Sequence, residues 1–359
     1  MIATEKKYIH KYLFLLALVF IIACLWVILA SEAASSVTEI FDKHYYRAYK
    51  EENKGYIAPW YTNGLHIVDE GFINELERLR EDRDGTGHVL AIGSSLCATE
   101  FDPLKQKLLG NYDLLVFASG SGSWRTNYIM DKLIRQEYSY RDKDIVKIEV
   151  SYSTFRNADN KTILESVLDK WGKYSVTEDL DVKRNSMLFS SIYWLNVQFL
   201  KIQNVLELLM SYISPLDRMA QIGPGNYRNN FFNHEATAAN FSITPERRKV
   251  VEEELMRISE DTNVIAEFSP IPEGLKETES GKAYMEYIDD SLIPLLEEKG
   301  IAYFDYRNSF SEKDFIDGAH LSYTASLRYT KRLDSDLNRV IRFINRKVTI
   351  GTAPTPSKI

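Results

Sequence analysis

The chain has 359 residues, 45% hydrophobic and 26% charged, the proportions of a folded globular protein with room for one large domain or two ordinary ones. Its net charge of −7 argues against nucleic acid as a partner, because phosphate binding wants a basic face. The same charge gives no general attraction to anionic lipid or anionic glycan.

The first clear element is apolar. Tyr12 to Ser31 contains no charged residue, and about twenty residues at helical rise span the hydrocarbon core of a bilayer. Lys6, Lys7 and Lys11 precede it, whereas Glu32, Glu39 and Asp42 follow. The positive-inside bias therefore predicts a cytoplasmic N-terminus (residues 1–11), a transmembrane anchor (12–31) and an extracytoplasmic remainder at the cell membrane. Two other readings stay open. A cleaved signal peptide has a shorter apolar core, although the small residues Ala30, Ser31, Ala33 and Ala34 would permit cleavage. Ile21 to Cys24 has the look of a lipobox, but the apolar run continues past it to Ala30. The second cysteine, Cys97, falls on the other side of the membrane from Cys24, so no internal disulfide is expected.

Residues 32–86 read as a connecting region, with helical spacing at Phe72–Arg80. Strands and helices then alternate. Val89–Gly93 reads as a strand, Asp102–Leu109 as a short helix and Asp113–Ala118 as a second strand. A helix follows at Trp124–Glu137, then strands at Ile145–Val150 and Asn263–Ser269. The last elements are a helix at Gly281–Lys299, a strand at Ile301–Tyr306 and a closing helix at Thr324–Asn345. Apolar strands separated by helices predict an α/β fold with a five-stranded parallel sheet covered on both faces. Catalytic groups of such a sheet belong at the carboxyl ends of its strands.

The predicted domain runs over 87–345 and carries a mostly helical insertion at about 156–260, with a tail at 346–359. Within the insertion, Met187–Ile213 is apolar with only Lys201 and Glu207 charged. It reads as a packed helix or a membrane-docking one. A second span is disfavoured by Ser190, Ser191, Asn196, Gln198, Gln203 and Asn204. Gln221–Asn233 reads as an ordered loop.

Two short blocks carry chemistry. Gly93-Ser94-Ser95-Leu96 follows the first strand, and Asp317-Gly318-Ala319-His320 precedes the last helix. Serine chemistry needs a nucleophile, a base and an orienting carboxylate, because a free hydroxyl is a poor nucleophile near neutral pH. Ser94 and Ser95 compete as nucleophile, and either can instead cap the following helix. His320 is the expected base and Asp317 its orienting partner. His234 is the rival base. Cys97 reads as a small buried apolar residue. The glycines of Phe117–Trp124 supply oxyanion donors or simply punctuate a turn.

At these residues the chain resembles the SGNH (GDSL-type) hydrolase family. Gly93-Ser94-Ser95-Leu96 is similar to its Gly-Asp-Ser-Leu block with Ser in place of Asp. The Gly-Ser-Ser form resembles an extracytoplasmic branch that includes the D-alanyl-lipoteichoic acid biosynthesis and alginate O-acetyltransferase accessory proteins. The resemblance implies a three-layer SGNH-like fold, with Ser95, Asp317 and His320 as the triad. It implies an oxyanion hole from Ser95 and Gly120, with Gly122 as the alternative. The family's third donor, an asparagine after the third strand, is missing. Ser153 or Thr154 is the substitute, since Asn157 lies too far along.

The implied activity is acyl transfer (O-acetyl or D-alanyl type) or ester hydrolysis on a cell-envelope polysaccharide, through an acyl-serine. The implied partner is a membrane-bound O-acyltransferase. The alternatives are a plain carbohydrate esterase and a non-catalytic polymer-binding or assembly subunit, which the missing asparagine would favour. No metal-ligand spacing or nucleotide-binding glycine motif occurs in the sequence, so no cofactor is expected.

Overall fold

The computed structural model describes residues 12–30, 33, 72, 75–76, 78–80, 87–100, 108, 112–119, 122–157, 164–165, 168, 173–186, 234–315 and 318–350. Asp317, Gly120, the stretches 187–213 and 221–233, and nearly all of the helix expected at Asp102–Leu109 lie outside these residues. The chain forms two compact units. One comprises Met1–Ala48, Leu168–Ser175 and Arg184–Ala220; the other comprises Tyr49–Val167, Val176–Lys183 and Gln221–Ile359. Within the first unit, α1 (Tyr12–Ala30) is a helix of 19 residues, apolar throughout and long enough to cross a membrane. A signal sequence meets the same description.

The second unit is built on a sheet of five parallel strands: β1 (Gly87–Ser94), β2 (Tyr112–Ser119), β3 (Ile145–Glu149), β4 (Asn263–Phe268) and β5 (Ala302–Asp305). Their spatial order is β2-β1-β3-β4-β5, one of the two common doubly wound orders. The strands match the apolar runs of the sequence to within two residues at each end. Seven helices are labelled here. Besides α1 they are α2 (Ser95–Glu100), α3 (Trp124–Glu137), α4 (Pro245–Ser259), α5 (Glu279–Tyr287), α6 (Ile293–Lys299) and α7 (Tyr323–Ile350).

Helices cover both faces of the sheet. On one, α7 lays down a stripe of Ala325, Tyr329, Leu333, Leu337, Ile341 and Ile344 at the spacing of one helical face. The stripe shares a core with Val89, Ala91, Ile145, Ile265 and Phe304 of the strands. On the other, α3 packs on β1 and α4 on β4. Ile129, Met130, Leu133 and Ile134 of α3 and Val251, Leu255 and Ile258 of α4 are buried there.

Two helices depart from their expected extent. The single helix predicted at Gly281–Lys299 is interrupted by a widened π turn, Ile288–Leu292, between α5 and α6. Pro294 sits in the first turn of α6. Lacking an N–H and crowding the carbonyl four residues back, a proline cannot continue a regular α-helix, and the wide turn gives its ring room. The closing helix runs to Ile350, five residues beyond the predicted end.

Among the described residues, the α7 side of the sheet buries three ionisable Lys and Glu side chains. Lys147 and Glu267 are fully buried and paired, Nζ to Oε2 at 3.1 Å. Lys147 also lies 3.8 Å from Cys97 Sγ. Glu267 further accepts from Ser269 Oγ at 3.2 Å and from Tyr329 OH. A buried pair persists when hydrogen bonds satisfy the remaining lone pairs, and here Ser269 and Tyr329 do so. The third, Glu149, belongs to the site described below.

On the opposite side, Glu254 of α4 is buried, and its Oε1 has no hydrogen-bond partner. Desolvation, reinforced by the charge of Asp131, pushes its carboxyl well above the ordinary 4.5, against the pull of Arg257. The folded protein therefore holds a proton that the unfolded chain gives up. Stability is lost as pH rises from about 4.5 towards the raised folded value. Glu254→Gln removes that loss. We expect its Tm to match wild type at and below about pH 4.5 and to exceed it increasingly as pH rises above that, as read by thermal unfolding across pH. An offset constant with pH would show that Glu254 is not held neutral.

Candidate active site

The site lies where β1 and β3 end side by side. In the order 2-1-3-4-5 the chain leaves β1 towards β2 and later returns to β3 on its other side. This is the switch point at which doubly wound sheets open a crevice. β1 ends at Ser94, and α2 begins at once with Ser95. No residue separates strand from helix, so successive side chains at the junction point in different directions.

That junction separates the two serines. Ser94 is 3% exposed and turns into the protein. Its hydroxyl donates to Glu149 (2.8 Å to Oε1, 3.0 Å to Oε2) and accepts the Leu96 N–H at 3.1 Å. Ser95 is only half-buried, and its Oγ lies 3.0 Å from His320 Nε2. A nucleophile must reach both base and substrate, and of the two only Ser95 stands beside a histidine.

His320 reaches Ser95 from the loop between β5 and α7. The loop is closed at its base by a bridge between Phe315 and Leu321 and by Ser322 N–H donating to Asp314 O at 2.7 Å. Phe315 and Leu321 both point into the α7 core. Asp314 accepts from the amide and hydroxyl of Ser311 and pairs with Arg328 at 2.5 Å. Partial burial works to raise its carboxyl, but these donors outweigh burial and hold it below the usual carboxylate range. Above this base, Tyr152 OH donates to Gly318 O at 3.4 Å, two residues before His320. Asp317 lies in the same loop, outside the described residues.

The rival histidine is engaged elsewhere. His234 Nε2 lies 2.7 Å from Glu312 Oε1, and the other oxygen of Glu312 accepts the Gly274 N–H at 3.1 Å. The His234 ring lies so close to Gly274 that a Cβ there would come within 2.3 Å of it.

A group not singled out by sequence reasoning sits at the centre. Glu149, the last residue of β3, is 1% exposed. Its Oε2 accepts the N–H of Ser94 at 2.8 Å and of Cys97 at 2.9 Å. Its Oε1 accepts Ser94 Oγ, Ser151 Oγ and, at 3.3 Å, Ser153 Oγ. Ser153, considered above as an oxyanion donor, thus has its hydroxyl in this cluster, 2.7 Å from Ser151 Oγ. Thr154 Oγ1 donates to the backbone carbonyl of Glu149 at 3.3 Å. Asn157 is remote from the cluster, accepting from Ser242 Oγ and Arg247 Nη1. Of the two glycines proposed for the oxyanion hole, Gly122 packs against Ser94, where a Cβ would lie 2.9 Å from Ser94 Cα. Gly120 lies outside the described residues.

The signal for Glu149 was present in the sequence. Ile145-Val-Lys-Ile-Glu149 puts Lys147 and Glu149 on one face of a strand expected to be buried on both. Charges in such a place must find partners. Their partners, however, come from β1, α2, β4 and α7, which local spacing does not reveal.

Gly93 is what allows Glu149 so close. A Cβ on Gly93 would lie 2.5 Å from Glu149 Oε2 and 2.6 Å from Cys97 Cβ. Gly93→Ala is therefore expected to destabilise the fold by about 1–3 kcal/mol, the usual range for overpacking. Gly122→Ala, with its nearest contact at 2.9 Å, should cost less. Midpoints of denaturant unfolding check both, and an unchanged midpoint for Gly93→Ala would contradict the close approach.

No protein-family model matches the chain, and no curated protein matches it. Fifteen chains of solved structures do. One of them is LAE5, described as an alpha/beta hydrolase enzyme from the metagenome of Lake Arreo, Spain. It is 10% identical, and the match covers 72% of this chain and 99% of that one at a TM-score of 0.35. At that score the likeness carries no argument about activity, and the resemblance to SGNH hydrolases rests on the motifs quoted above.

Proposed function

We propose that the second unit is a serine-dependent acyl-transfer enzyme with Ser95 as nucleophile and His320 as general base. The observation that carries this reading is the 3.0 Å approach of Ser95 Oγ to His320 Nε2. The two residues are 225 positions apart in the chain, and they meet at the carboxyl edge of a parallel sheet, where such folds place their chemistry.

The chemistry follows from that pair. With His320 neutral and protonated on Nδ1, its Nε2 accepts the Ser95 proton as Oγ attacks an ester carbonyl. The tetrahedral intermediate collapses when His320 returns the proton to the departing alcohol oxygen, leaving an acyl-serine. A second hydroxyl, from water or a sugar, then repeats the sequence in reverse. Asp317 is proposed to orient the imidazole from its Nδ1 side. The backbone N–H groups of Ser95 and Gly120 are the proposed oxyanion donors. Ser153 would join them by turning its hydroxyl away from the Glu149 cluster. Losing one such donor typically costs about 2.7–4 kcal/mol.

The finer reading adds a substrate class and a place. The motif resemblance supports an O-acetyl or D-alanyl type acyl group, a cell-envelope polysaccharide and a membrane-bound O-acyltransferase as partner. The apolar α1 supports an anchor that holds the unit outside the cytoplasmic membrane, close to such a partner. Tethering of this kind raises effective concentration without any new contact.

Covalent labelling tests the chemistry. The full-length chain in detergent should react with a fluorophosphonate, and both Ser95→Ala and His320→Ala should abolish the reaction, as read by intact-protein mass. A folded wild type that takes no label contradicts the proposal. Labelling that survives Ser95→Ala would mean that another residue is the nucleophile.

A further inference from the structure

Ser94, immediately before Ser95, and Cys97, two residues after it, are tied to Glu149, since their amides donate to its Oε2 at 2.8 and 2.9 Å. Ser95 therefore cannot shift without breaking bonds on both flanks. On the far side of the carboxylate, Ser151 and Ser153 also donate to it. Between them stands Tyr152, whose hydroxyl holds Gly318 in the His320 loop. Alternate residues of one turn thus point to the nucleophile's anchor and to the base's loop.

We propose that Glu149 is the positioning residue of this site, fixing the Ser95 turn and, through the turn at 151–153, the His320 loop in one frame. The proposal rests on the reading of Ser95 as nucleophile. It assigns the register of Ser95 against His320 to a third strand that supplies neither group. Reaction between positioned groups is steep in distance, and a misplacement of about 1 Å can cost roughly 100-fold in rate.

The donor set also predicts which substitution is tolerated. Backbone N–H groups only donate, so the Oε2 position must remain an acceptor. The hydroxyls facing Oε1 can either donate or accept. Glutamine can place its oxygen on the two amides and its NH2 on the hydroxyls, and so keep the frame. Alanine leaves both amides without their acceptor.

The test is the kinetics of fluorophosphonate inactivation of the full-length chain in detergent, with Tm measured on each protein. Glu149→Ala should lower the maximal inactivation rate about 100-fold with little change in the concentration giving half that rate. Glu149→Gln should recover it to within roughly 10-fold of wild type, the worth of one modest hydrogen bond. That split, with rescue at matched Tm, is not what a merely structural residue gives.

Folded Glu149→Ala reacting as fast as wild type overturns the proposal. If Glu149→Ala does not fold, Glu149→Gln decides: a folded protein within 10-fold of wild type supports the proposal, and one slowed as much as 100-fold overturns it. If neither variant folds, Glu149 acts on stability alone and the proposal falls. Wild type that takes no label removes the serine reading and this inference together, whereas labelled wild type with unaffected variants removes only this inference.

Discussion

A carboxylate taken out of water must be met by donors on all sides. Glu149 is such a group, and the geometry around Ser95 follows from satisfying it. Its two oxygens receive two backbone amides and three hydroxyls. An isolated buried charge would cost far more than a fold of this size could spare. Each donor is therefore fixed in place as firmly as the charge itself. At the strand-to-helix junction, Glu149 occupies the space that a Gly93 side chain would take.

The sheet order makes this possible. β3 lies beside β1 in space although β2 and α3 come between them in sequence. Parallel register puts Ala91 opposite Lys147, so positions two residues on, Gly93 and Glu149, share a face. Across β3, Glu149 is also paired in register with Glu267. The carboxyl edge of the sheet thus carries two buried acids, each with its own donors. Glu267 is neutralised by Lys147 and held by Tyr329 of α7. One acid is bonded to the turn that carries Ser95, and the other ties the last helix to the sheet.

The sequence made some of this legible and hid the rest. The five strands could be read because a parallel strand buried on both faces is an unbroken apolar run, as in Val89-Leu-Ala-Ile92. The closing helix could be read from its 3.6-residue stripe. Ser95 and His320 stood out because their flanking motifs are short and local. Glu149 did not, since its place in a buried strand calls for donors without saying which residues supply them. Its burial is decided by Ser94, Cys97 and Ser151, residues that only the fold brings together. The π turn before Pro294 had a sequence signal of its own, a proline inside a helical pattern, but not one that periodicity carries. The apolar spacing on either side is helical, and the break comes from one proline ring rather than from any change of pattern.

The central claim is that Ser95 reacts while Glu149 keeps its turn in place. The most direct measurement is the experimental structure of the full-length chain in detergent after reaction with a fluorophosphonate. The account predicts phosphorus bonded to Ser95 Oγ, with the Ser94 and Cys97 amides still on Glu149. Phosphorus on another residue, or a Ser95 turn released from Glu149, would contradict it.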